Sequence, residues 1–97
     1  MTLKDCVQEI ITANFVSGNY FDSHTVINML LQKPEYHLCY LKEFHENYAN
    51  CNISQFHGHI ATDMIKTIPN VESAEVSVYT LNIYGGKPTK NELWKIK

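Results

Sequence analysis

Five histidines and three cysteines are the side chains of this 97-residue chain with the chemistry to ligate a metal or to serve as base and nucleophile. The closest histidines are in His57-Gly58-His59. On a helix, residues two apart point to different sides, so these imidazoles do not share a zinc ion, and no HExxH or Cys/His set supplies further ligands. No metal site is expected. Cys6, Cys39 and Cys51 are odd in number and form no CxxC, which predicts reduced, mostly buried thiols instead of a disulfide framework. A thiol enzyme needs an oriented base beside Cys39 or Cys51, and the sequence pattern fixes none there. G-x-S-x-G is absent, and Gly85-Gly86 falls in a predicted hairpin, not between a strand and a helix where glycines cradle phosphate. The chain is read as non-enzymatic, with no catalytic residue and no cofactor.

A second group of polar residues has a different use. Ile53, Phe56, Ile60, Ala61, Met64, Ile65 and Ile68 recur at the spacing of a buried helical stripe, which predicts a helix over 53–68, capped by Asn52 and ended by Pro69. The opposite face then holds Ser54, Gln55, His57, His59, Thr62, Asp63 and Lys66, a surface poor in the Glu/Lys mixture that usually solvates a helix. Such side chains can read base edges: Gln pairs with adenine, Ser and Thr with either base, and histidine donates to a base acceptor or a phosphate. Charge is uneven as well. Residues 1–75 hold nine acids and four lysines, whereas residues 76–97 hold Lys87, Lys90, Lys95 and Lys97 against Glu92. Every basic residue is lysine, which removes the bidentate guanine reader arginine and leaves point-charge contacts to phosphate.

The elements that must position these residues follow from the same patterns. Thr2 and Asp5 suit a capping box ahead of a helix buried through Leu3, Val7, Ile10, Ile11 and Phe15, with Gly18 able to close it. Asn19-Tyr20-Phe21 is extended, Asp22 is a good N-cap, and a second helix runs from about Ser23 to Lys33. Pro34 stops it or opens a third, from Glu35 to Asn50, with Leu38, Leu41, Phe44, His45 and Tyr48 on its apolar side; His45 is read as a hydrogen-bonded core residue. After Pro69 the alternation in Ser73–Tyr84 predicts a strand, Gly85-Gly86 and Pro88 a turn, and Leu93–Lys97 an antiparallel return that brings Trp94 and Ile96 to the core. Ile10, Phe15, Val26, Leu30, Leu41, Phe44, Phe56, Ile60, Met64 and Trp94 are the expected buried set. Six tyrosines are expected at the edge of the core with their hydroxyls in water.

This order, mainly α with a C-terminal β-hairpin (α+β), resembles a winged helix-turn-helix domain of the phage or mobile-element type. The extended Asn19-Tyr20-Phe21 resembles the short first strand of such folds, and NIYGGKPTKNELWKI resembles a wing with a tryptophan in its last strand. Helix three is longer than a tight helix-turn-helix allows, so either it is an insertion or the paired helices are 35–50 and 53–68. The resemblance implies a DNA-binding or transcription-associated module, with Ser54, Gln55, His57, His59, Thr62 and Lys66 facing double-stranded DNA and Lys87 and Lys90 on phosphates. The alternative is a protein-interaction module on the same fold, for which the acidic first 75 residues and the lack of arginine speak. Length and a 44% hydrophobic content suit one domain over 1–97. No apolar run approaches the roughly 20 residues that span a bilayer, so no membrane is involved and a cytoplasmic protein is expected.

Overall fold

Local capping chemistry sets the starts of three of the four helices. Helix α1 (Leu3–Asn14) opens on a reciprocal capping box between Thr2 and Asp5, as the sequence predicts, and the short distance of the Asp5 carboxylate to the Thr2 N–H (2.9 Å) holds its pKa below the usual value. Strand β1 (Tyr20–Asp22) leads directly into α2 (Ser23–Leu30), whose N-cap Asp22 accepts from Thr25 N–H. Helix α3 (Pro34–Asn47) has Pro34 at its first turn, where the missing N–H costs nothing. Helix α4 (Ile53–His59) opens on a second capping box, Asn52 with Gln55. The computed structural model describes residues 1–81 and 87–97. Asn82, Ile83, Tyr84, Gly85 and Gly86, and with them the expected glycine turn, lie outside the described residues.

Strand β2 (Val71–Thr80) and strand β3 (Thr89–Ile96) pair antiparallel, and β3 also pairs with β1, giving the sheet order β1-β3-β2. Both strands start earlier than the alternation suggested. A return strand between the other two, fed by helices, is a layout compatible with a winged helix. The sheet and helices share one core, in which Phe56, Leu30, Ile10, Ile60, Ile65 and Val26 are fully enclosed and Trp94 closes the sheet side. Trp94 Nε1–H donates to Ser23 Oγ (2.8 Å), and Ser23 Oγ–H donates in turn to the Ala61 carbonyl (2.7 Å). One buried hydroxyl thus ties β3, α2 and the segment after α4 together.

The helix predicted over 53–68 is not regular. After His59 it widens into a π-turn (Ile60–Met64) and then tightens into a 3-10 turn (Ile65–Thr67), with the Ile65 N–H bonded to the Ile60 carbonyl. Residues five apart diverge on an α-helix, and the π-turn is what lets Ile60 and Ile65 both reach the core. Met64 is correspondingly only half-buried. Ile68 is extended, as the residue before Pro69 must be to avoid the proline ring.

Helix α3 is rotated from its expected phase. Its buried residues are Tyr36 and Tyr40, with Cys39, Phe44 and Tyr48 packed against the core, while Leu38 and Leu41 are 67% and 49% exposed and His45 is exposed. The expectation that Leu41 and His45 face inward is therefore corrected. The tyrosines win the inner face because each ring fills core volume while its hydroxyl finds a partner: Tyr36 donates to Glu9 on α1 (2.9 Å), and Tyr40 meets His57 Nε2 (2.6 Å).

Candidate nucleic-acid interface

Helix α4 and strand β3 face each other across a groove of about 460 Å³. Ser54, His57, Gly58 and Thr62 line it from the helix and its π-turn, Lys90, Asn91 and Glu92 from the strand, and His24 from α2, over an apolar floor of Ile27 and Ala61. Thr62 lies there because its Oγ1 donates back to the Gly58 carbonyl (2.8 Å), which holds the hydroxyl against the helix. Four of the eight residues expected at the interface, Ser54, His57, Thr62 and Lys90, are thereby brought together.

The remaining four are dispersed. Gln55 is exposed, but its Oε1 accepts from the Asn52 N–H (3.1 Å) in the capping box, so the carboxamide is part of the helix start. His59 packs on Tyr48 with ring centroids 5.2 Å apart and pairs with Asp63 (3.2 Å), and Lys66 lies 3.6 Å from the same carboxylate. Asp63 thus offsets the Lys66 ammonium on that flank and occupies the His59 ring nitrogen. Lys87 is exposed and sits between the undescribed residues and the start of β3.

His57 departs from its expected place on the outer face. It is 8% exposed, wedged between Tyr40 and Phe56, and only its edge reaches the groove. Burial lowers its pKa, and nearby His24 lowers it further, both favouring the neutral form of the ring. The polarity of imidazole hid this: facing α3, the ring meets the Tyr40 hydroxyl, a partner a sequence does not display. His57 and His59 turn to different neighbours, and among the described residues no group of three His, Cys, Asp or Glu side chains is placed to hold a metal ion.

The anchor of the hairpin was not legible beforehand. Asn91, a buried polar residue in β3, accepts from the His24 N–H through Oδ1 (2.9 Å) and donates through Nδ2 to Thr80 Oγ1 (2.8 Å) and the Val78 carbonyl (3.2 Å). Thr80 Oγ1–H donates to Asp22 Oδ2 (2.7 Å), and His24 Nδ1 lies 3.1 Å from the Thr80 carbonyl, which requires the proton on that nitrogen. The start of α2 is clamped to the outer part of the hairpin. Further in, Glu75 has φ +60° at a register shift between Ser73 and Ser77; Ser73 Oγ accepts from the Glu75 N–H (3.0 Å) and donates to Glu92. The bulge redirects β2 beyond Ser73. Its signal in the sequence, an acidic residue breaking the alternation, is too weak to find it.

Comparison with family models, with curated proteins and with solved structures returned no match. No helix among the described residues is long and apolar enough to cross a membrane.

Proposed function

We propose that this chain is a non-enzymatic winged-helix-like module that binds double-stranded DNA, with the polar side of α4 and the β2–β3 hairpin as its contact surface. One observation carries the reading: Lys90 of the hairpin lines the same groove as Ser54 and Thr62 of α4. A phosphodiester lying along that groove meets the Lys90 ammonium, beside Glu92, on one side and the Ser54 hydroxyl on the other, the kind of contact that fixes a protein's register on a duplex. Lys87, exposed just before β3, extends the contact beyond the groove, while Lys66 is offset by Asp63. Base reading falls to Ser54, Gln55 and Thr62, while His57 supports the helix from beneath. The absence of arginine fits modest affinity dominated by phosphate contacts.

The test is a titration of the full chain against mixed-sequence duplex at several salt concentrations. The proposal expects log K to fall linearly with log salt, with a slope of about −2 to −4 for the few lysines involved. No binding down to low ionic strength overturns it. A protein-interaction module is the second reading, favoured by Leu38 and Leu41, which stand side by side and exposed on α3.

A further inference from the structure

Helix α3 turns Tyr36 and Tyr40 into the core, and the side opposite them carries a regular stripe. Pro34, Leu38, Leu41 and His45 follow one another at spacings of four, three and four residues, the repeat that keeps one seam of a helix facing a partner helix. All four are exposed, Leu38 at 67% and Leu41 at 49%. Glu35 and Lys42, two turns apart, flank the stripe on one side, both exposed, and among the described residues neither is in an ion pair. His37 and Phe44 flank it on the other, with Phe44 packed against the core. No residue of this face lines the groove between α4 and β3.

We propose that this face docks a second copy of the chain, α3 against α3, antiparallel about a two-fold axis that passes between Leu38 and Leu41. That rotation sets Leu38 on Leu41 of the partner subunit and Pro34 beside His45 of the partner subunit. It also brings Glu35 to Lys42 of the partner subunit and Lys42 to the partner's Glu35, so both unpaired charges meet their opposites in one symmetric operation. A parallel pairing loses the match: Lys42 falls beside His37 of the partner subunit, and Glu35 meets no cation. The antiparallel arrangement also opposes the two helix dipoles. The face is therefore complementary to itself, which selects a second copy over an unrelated protein. Two leucines per copy on a 14-residue helix bury less than the roughly 1,200 Å² of a stable interface, so the dimer is weak, with a Kd on the order of 100 µM. It forms whether or not the groove binds duplex, because the two surfaces share no residue.

Sedimentation equilibrium of the full chain from roughly 10 µM to 1 mM should show the average mass climbing from one chain toward two. Leu38→Glu changes an exposed position and should hold the chain monomeric throughout, with its melting temperature at the dilute end unchanged. Lys42→Glu sets acids face to face across the axis and should weaken association by roughly tenfold or more. Adding Glu35→Lys to that variant exchanges the charges and should restore wild-type association, a rescue that neither a parallel pair nor unspecific adhesion of leucines produces. A chain that stays monomeric at every concentration overturns the proposal and leaves the face to a different protein. A dimer that survives Leu38→Glu, or a double variant that associates no better than Lys42→Glu alone, overturns it as well.

Discussion

Ser23 and His57 show how much of this fold rests on single buried polar atoms. Ser23 is enclosed, and its hydroxyl satisfies both the Trp94 indole N–H and the Ala61 carbonyl. Ser23→Ala removes little volume but leaves two buried groups unpaired, so chemical denaturation should show a loss of about 1–3 kcal/mol. A loss within a few tenths would mean that water replaces the hydroxyl. His57 makes a different prediction. Its folded pKa lies below the unfolded value of 6.5, so between the two the unfolded chain binds a proton that the folded chain refuses. Stability from this site is complete above the unfolded pKa and is lost as pH falls below it toward the folded pKa. His57→Gln retains an acceptor for Tyr40 without the titration. Urea midpoints measured from pH 7.5 to 5.5 should fall more steeply for the wild type than for the variant, and equal slopes would refute the assignment.

Helix α4 and its π-turn hold the tension between regular structure and the site. A π-turn carries weaker hydrogen bonding than an α-turn, and here it is compensated by the burial of Ile60 and Ile65 on one side and the Ser23 bond to Ala61 on the other. Gly58, one turn earlier, lines the groove, has ordinary helical geometry, and has nothing within 4 Å of where a Cβ would stand. Gly58→Ala should therefore stabilise the fold by about 0.5–1 kcal/mol, read as a raised denaturation midpoint. The new methyl projects into the groove. Duplex affinity should fall while stability rises, an opposition that a purely structural role for the groove would not produce. Helix α3 gives the complementary lesson, because its exposed Leu38 and Leu41 are stronger hydrophobes than the buried Tyr36 and Tyr40, yet only the tyrosines pair with Glu9 and His57.

At the scale of the whole molecule, charge decides what the fold can bind. The net charge is −2, and the groove itself includes Glu92 opposite α4. The proposed attraction to DNA therefore rests on locally placed lysines and not on a general field. Replacing Lys87 and Lys90 together with alanine should weaken binding to all duplex sequences alike and reduce the salt slope by about two units. Thermal melting should barely move, since both side chains are exposed. An unchanged slope would place the contact elsewhere on the surface.

What the sequence determined by itself was local. Thr2 with Asp5, Asp22 and Asn52 each cap a helix through atoms within three residues, and Pro34 and Pro69 bound helices through their own ring geometry, so these features depend on no distant partner. The stripe Phe56–Ile60 and the return of Trp94 to the core also follow from periodicity. The outer face of the 53–68 helix and the basic hairpin end point to Ser54, Thr62 and Lys90, and one groove brings the three together. Tertiary structure decided the rest: the phase of α3, the burial of His57, the π-turn and the Asn91 anchor. In each case a polar group gains its place only when a partner 10 or more residues away arrives to satisfy it, as Tyr40 does for His57, Ser23 for Ala61 and Thr80 for Asn91. Until that partner is present, burial of the group is unfavourable, and a pattern of hydrophobic spacing reads the residue as exposed.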